Sequence, residues 1–163
     1  MAIPYTKTQI RLHWLIFLLI ALQYLNNDAI SGAWRQVTKG ETVVFDPMIL
    51  AHVALGGLIG LLVLMRIAQR LRHGAPALPE DEPPALRLVA QLTHLGLYVL
   101  MVAVPVSGAV AWFLKIEAAG EAHEVMKGLL LVLVGLHVAG ALYQQFVLKT
   151  DVMARMKRPG GSA

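Results

Sequence analysis

Four long apolar runs constrain this chain more than any other feature of its sequence. They cover about residues 12–25, 48–68, 88–114 and 125–148. A helix needs about 20 apolar residues to cross a bilayer, so four such helices take about half of the 163 residues. The runs predict an all-α, integral-membrane four-helix bundle in a single domain, residues 1–163. Its helices are expected at about residues 8–28, 48–70, 87–114 and 122–148.

The composition excludes several other classes of protein. Charged residues make up 15% of the chain, against roughly 25% in soluble domains. A disordered chain, a coiled coil and a typical water-soluble enzyme are therefore excluded. The chain has no cysteine, which excludes disulfides, iron–sulfur clusters, c-type haem attachment and thiol catalysis. The charges lie at the ends of the apolar runs rather than in one patch, so no nucleic-acid partner is expected.

The distribution of Lys and Arg predicts how the helices cross the membrane. Ten of these residues lie before the first run, around the linker at residues 69–87 and in the tail, and four lie around the linkers at residues 29–47 and 115–122. Positive charge is retained on the cytoplasmic side. Both termini are therefore expected to be cytoplasmic. The first run has no small-residue cleavage site, so it is interpreted as a retained helix rather than a signal peptide.

Histidines are the main candidates for function. Ionisable residues within membrane spans are costly, and they usually mark a functional site. His73 lies in a linker, where a solvated role is expected. The other five lie within the runs or at their ends: His13, His52, His94, His123 and His137.

The predicted depths of four histidines form two pairs. His137 follows His123 by 14 residues, which is about 21 Å along a helix and close to four full turns. His52 shares the outer level with His123, and His13 shares the inner level with His137. Two imidazoles facing each other at one depth can hold a haem iron, so the pairs predict two b-type haems stacked across the bilayer. A zinc or copper site would instead cluster its ligands at one level.

Three further residues are weaker candidates for cofactor binding. His94 lies near the level of His13 and His137. It is a candidate to replace His13 as a ligand, to hydrogen-bond a haem propionate or a quinone oxygen, or to serve a structural role. Arg11 near the inner face and Lys127 near the outer face are candidates to pair with propionates. Lys127 is also placed to attract an anion, or to be a snorkelling interfacial lysine.

Short segments around these histidines resemble the bacterial cytochrome b561 family, over almost the whole chain. The matching segments are residues 5–14 (YTKTQIRLHW), 52–56 (HVALG), 94–98 (HLGLY), 105–108 (PVSG), 122–124 (AHE) and 135–137 (GLH). The resemblance implies a di-haem cytochrome b of the bacterial inner membrane. It implies that the axial ligands of the haem irons are His13, His52, His123 and His137. The linker at residues 115–122 is shorter than is typical of this family.

The family resemblance implies electron transfer with quinone, but the sequence assigns no catalytic residue. The leading hypothesis is an enzyme that oxidises superoxide outside the membrane and reduces ubiquinone. The alternative is an electron-conduit subunit that docks a dehydrogenase, a hydrogenase or another redox partner, which an outward surface with aromatics such as Trp34 would favour. A third hypothesis is a haem-free transporter with a histidine relay, against which the two opposed pairs argue.

Overall fold

The computed structural model describes residues 4–76 and 83–159. Within these ranges the chain is 81% helical and contains no strand. Part of the predicted linker at residues 69–87 lies outside the described residues. The described helices are α1 (Lys7–Leu25), α2 (Asp28–Thr38), α3 (Pro47–His73), α4 (Pro84–Leu114), α5 (Glu117–Phe146) and α6 (Val152–Arg155).

The four helices α1, α3, α4 and α5 have the length and the apolar composition to cross a membrane. The predicted all-α membrane bundle is therefore confirmed. Side-chain caps begin two of these helices. Thr6 and Gln9 form a reciprocal capping box at the start of α1, and the Asp46 carboxylate accepts a hydrogen bond from the Met48 amide at 2.7 Å before α3.

Three sequence-based expectations about helix ends were wrong. The expected linker at residues 29–47 contains the helix α2. The expected linker at residues 115–122 is reduced to Lys115 and Ile116, because the helix-forming residues after them belong to α5. His73 is the last residue of α3 rather than a linker residue.

The spanning helices pack in sequence order, α1 on α3, α3 on α4, and α4 on α5. We call the end of the bundle that holds the start of α1 and the end of α5 the terminal end. The opposite end, which carries α2 and the turn between α4 and α5, is called the α2 end. The buried core joins α1 to α3 and contains Leu12, Ile16, Leu19, Ile59 and Val63.

Two glycines allow the spanning helices to approach closely. A Cβ atom at Gly60 of α3 would lie 3.6 Å from the Cβ atom of Pro105 in α4. A Cβ atom at Gly96 of α4 would lie 2.7 Å from Leu133 of α5. By contrast, only Gly120 and Leu130 are buried within α5. Much of the length of α5 is therefore left free to contact lipid or a bound group.

Candidate functional site

A cavity of about 410 Å³ opens between the helices at the α2 end of the bundle. His52 of α3 and His123 of α5 both line it, together with mostly apolar neighbours from α1, α2 and α4. Gly56, Gly57 and Gly108 also line it, which leaves room beside the helix backbones. A concave, largely apolar space of this size is typical of a small-molecule or cofactor site.

The His123 ring is held in one orientation by the backbone of α4. Its Nδ1 atom donates a hydrogen bond to the Val104 carbonyl at 2.9 Å, and the Ser107 hydroxyl donates to the same carbonyl at 2.9 Å. A carbonyl only accepts, so Nδ1 carries the proton and the Nε2 lone pair is available to a metal. A Cβ atom at Gly108 would lie 3.0 Å from the ring, so a side chain there would press on the ring.

The His52 ring contributes an unpartnered polar atom to the same cavity. Its Nδ1 atom is buried and has no hydrogen-bond partner among the described residues. The backbone of His52 is held from α1, because the Gln23 side-chain amide donates to the His52 carbonyl at 2.9 Å. Buried polar atoms without a partner are rare. This one fits a site whose partner is a bound group.

Three histidines meet at the terminal end of the bundle. The ring centroids of His13 and His137 are 6.1 Å apart, with ring planes at 72°. The ring centroids of His94 and His137 are 5.0 Å apart, and their ring planes make an angle of 77°. The Nδ1 atom of His94 donates to the Ala90 carbonyl at 2.7 Å, which assigns its proton to Nδ1. The structure thus brings His13 and His137 together from α1 and α5, with His94 beside His137.

A polar cluster lies nearer the terminal surface, around a small cavity. The Arg66 guanidinium donates to the Gln9 carbonyl at 2.8 Å, and the Arg70 guanidinium lies 5.7 Å from the centre of the Tyr98 ring. Burial raises the pKa of the Tyr5 phenol above its ordinary value of 10.0, although Arg70 and Arg66 act in the opposite direction. The phenol is therefore protonated at neutral pH, and both guanidinium groups stay beside a neutral ring.

The two charged candidates from the sequence differ in their placement. Lys127 lines the α2-end cavity, and its ammonium group contacts the Glu124 carboxylate at 2.7 Å and the Asn27 side chain at 3.0 Å. The Tyr24 hydroxyl donates to the Lys127 carbonyl, which joins α1 to α5. Arg11 is exposed on α1 and lines neither described cavity. Arg66 is instead a charged neighbour common to the three terminal-end histidines.

Helix α2 covers one side of the α2-end cavity, a feature that the sequence did not predict. Ile30, Ser31, Trp34 and Arg35 line the cavity from this helix. The Trp34 indole lies against Gly120, where a Cβ atom would be 2.7–2.8 Å from three indole atoms. Trp34 therefore packs inward on α5 rather than standing free of the other helices.

These features define a class of protein. Four helices of membrane length, with His52 and His123 beside one glycine-lined cavity and His13 beside His137 at the other end, fit the architecture of a membrane cytochrome b. The comparison with protein families agrees, because the sequence model described as prokaryotic cytochrome b561 matches residues 4–159. The chain belongs to the prokaryotic cytochrome b561 family, and it is a membrane electron-transfer protein.

Curated relatives align along nearly the whole chain. Cytochrome b562 of Cereibacter sphaeroides is 32% identical over 95% of this chain and 96% of its own length. The probable superoxide oxidase CybB of Yersinia pestis is 25% identical, over 93% of this chain and 94% of its own. Cytochrome b561 homolog 1 of Escherichia coli K12 is 24% identical over 93% of this chain and 96% of its own length. Family membership implies a b-type haem, which the glycine-lined cavity and the unpartnered His52 nitrogen fit.

Proposed function

We propose that the chain binds two b-type haems, one at each end of the bundle, and carries electrons across the membrane between a donor and quinone. The observation that carries this proposal is the pairing of four histidines from three helices. His52 and His123 line one cavity, and His13 and His137 meet 6.1 Å apart at the opposite end. Two opposed imidazoles are the ligand set of a six-coordinate b-type haem.

Each proposed site has its own ligand pair. His52 and His123 would hold the haem at the α2 end, and His13 and His137 the haem at the terminal end. A bound haem supplies one-electron chemistry, because its iron alternates between the ferric and ferrous states. With two histidines holding each haem, the sites would favour electron transfer over oxygen chemistry.

The protein's own groups would orient the ligands and set the surroundings of the sites. The Val104 carbonyl holds the His123 ring, and Gly108 gives the ring room. The apolar lining of the α2-end cavity excludes water and lowers the local dielectric. Lys127, held by Glu124 and Asn27, would supply a positive charge for a propionate or an approaching anion at the α2 end.

The spacing of the proposed ligands along α5 suits transfer across a membrane. His123 and His137 lie on one uninterrupted helix. Their 14-residue separation corresponds to about 21 Å at 1.5 Å per residue. Because the two sites lie near opposite ends of one spanning helix, electrons received at one membrane face can be delivered towards the other.

The proposed direction of electron flow and the proposed substrates are supported by one relative's name and by the charge distribution. The relative named a probable superoxide oxidase supports superoxide as the donor at the α2 end and ubiquinone as the acceptor. The excess of Lys and Arg around the terminal end supports cytoplasmic termini in a bacterial inner membrane. The α2 end would then face outward.

The activity can be tested on the purified holoprotein. The haems are reduced chemically and mixed anaerobically with a soluble ubiquinone analogue, and their reoxidation is followed by absorbance. Rapid reoxidation is expected, and its absence would contradict the quinone proposal. In a second arm the oxidised protein is mixed with enzymatically generated superoxide, with and without superoxide dismutase. Reduction that dismutase abolishes is expected, whereas reduction that dismutase leaves intact would point to another donor.

A further inference from the structure

Helices α4 and α5 face each other in a regular antiparallel register. Gly108 lies against His123 near the α2 end, and His94 lies against His137 near the terminal end. His94 and Gly108 are 14 residues apart, as are His123 and His137. The two positions on α4 are therefore equivalent by register, each opposite one proposed haem ligand on α5.

The two ends differ in how α4 contacts the ligand opposite it. At the α2 end, the carbonyl four residues before Gly108 belongs to Val104, and it accepts a hydrogen bond directly from His123 at 2.9 Å. At the terminal end, the carbonyl four residues before His94 belongs to Ala90, and it accepts from His94 at 2.7 Å. The carbonyl that the register would offer to His137 is thus bonded by His94 instead.

We propose that His94 is a positioning residue whose Nε2 atom accepts a hydrogen bond from the ring N–H of His137. The inference rests on the proposed binding of the terminal-end haem by His13 and His137. The Ala90 carbonyl can only accept, so the His94 proton lies on Nδ1 and the Nε2 lone pair is free. Two imidazoles joined by a hydrogen bond of about 2.9 Å between nitrogens have centroids about 5 Å apart. The two ring centroids are 5.0 Å apart in an edge-on contact with planes at 77°, so the bond would form once the His137 ring turns its N–H towards His94.

This role has a consequence for the reduction potential of one haem. An acceptor on the outer N–H of a metal-bound imidazole orients the ring and makes it a stronger electron donor. A stronger donor stabilises ferric iron over ferrous iron. Removing the acceptor should therefore raise the midpoint potential of the terminal-end haem and leave the α2-end haem unchanged.

The test uses redox titration of the purified holoprotein, with haem counted per chain. His94→Leu removes the acceptor, and His94→Gln keeps an oxygen acceptor. His73→Leu is the matched control, because His73 is exposed at the end of α3 and its Nδ1 atom contacts only the Gln69 carbonyl among the described residues. A His123→Ala variant, which retains only the terminal-end haem, assigns the two potentials.

His94→Leu is expected to keep two haems and to shift the terminal-end midpoint upward. A tenfold change in the ferrous-to-ferric ratio corresponds to about 59 mV for one electron. His94→Gln is expected to have a midpoint close to that of the wild type. Its ferric haem should also show the wild-type electron paramagnetic resonance signal. His73→Leu should change neither quantity.

Three results would overturn the inference. The first is His94→Leu with two haems and both midpoints unchanged. The second is an equal shift of the terminal-end midpoint in His94→Leu and His94→Gln. Such a result would mean that lost packing, and not a lost hydrogen-bond acceptor, causes the shift. The third is loss of a haem in both His94 variants while His13→Ala retains two, which would make His94 the ligand. Failure of the proposed function would be distinct, since the wild-type protein would then lack the second haem.

Discussion

The imidazole of His123 lies so close to Gly108 that a Cβ atom there would stand 3.0 Å from two of its ring atoms. This contact places the ring where its Nδ1 atom reaches the Val104 carbonyl at 2.9 Å. The PVSG segment of α4 therefore has a physical role, because its Gly108 supplies the space for a proposed haem ligand beside the Val104 carbonyl that accepts from it. The same relationship can be tested by adding side-chain volume.

Gly108→Val should displace the His123 ring and remove the α2-end haem, while the terminal-end haem stays bound. Gly108→Ala requires the His123 ring to move by only a few tenths of an ångström. This variant should therefore retain both haems but bind the α2-end haem less tightly. The haem content per chain, measured after dilution and incubation, reports the loss. Gly32→Ala on α2 is the control, because a Cβ atom there meets nothing within 4 Å. Equal haem retention in Gly108→Val and wild type would refute the role of Gly108.

The contact between Trp34 and Gly120 should hold α2 over the cavity. A valine at position 120 would collide with the indole, since a Cβ atom already lies 2.7 Å from it. Overpacking of this kind costs about 1–3 kcal/mol. Gly120→Val is therefore expected to release α2 and to speed hydrogen exchange of the amides at residues 28–38, as measured by mass spectrometry. Unchanged exchange in this helix would contradict the packing.

The four spans could be predicted from the sequence, because apolar runs of membrane length permit few other structures. Helix α2 was missed for a physical reason. It has only 11 residues, and Ser31 and Gly32 break up its apolar residues along the sequence. The available signal was the spacing of Ile30, Ala33, Trp34 and Val37, which repeats as one side of a helix.

The site was predictable to a different extent. Depth along the spans was enough to predict which histidines come together, because position in a spanning helix is close to linear in residue number. The environment of each ring was not predictable. The contact of His123 with Gly108 and Val104 depends on the rotation of α4 about its axis, which tertiary packing decides. The inward packing of Trp34 depends in the same way on Gly120 in a distant part of the chain.

Gln9 should stabilise the terminal end of the bundle. Its side-chain amide donates to the Gly74 carbonyl at 2.9 Å, and its side-chain oxygen accepts from the Thr6 amide at 2.9 Å. Gln9→Ala is expected to cost about 1–3 kcal/mol, because buried backbone groups lose their partners. Thermal unfolding in detergent should show a lower midpoint, whereas Gln91→Ala, at an exposed site on α4, should not. Equal midpoints in the two variants would contradict the role of Gln9.

Lys127 should tune the α2-end haem through its charge. Its ammonium group lines the cavity and is held by Glu124 and Asn27. Lys127→Gln removes a positive charge near the iron, so the ferric form gains stability and the α2-end midpoint should fall. The side chain is 21% exposed, and solvent screening limits the effect to about 1 kcal/mol. Redox titration measures it, with the exposed Lys39→Gln as control. If the midpoint of the α2-end haem fell in both variants, or in neither, the proposed effect of the Lys127 charge would be contradicted.

The most direct test of two histidine-bound haems is the reduced-minus-oxidised absorption spectrum of the purified protein, with haem counted per chain. Two six-coordinate b-type haems are expected for the wild type. One haem is expected for each of His13→Ala, His52→Ala, His123→Ala and His137→Ala. The two members of a pair should lose the same haem, and the double variant of a pair should still hold one. A wild-type protein with a single haem, or a His52→Ala variant that loses a different haem from His123→Ala, would contradict the proposed pairing.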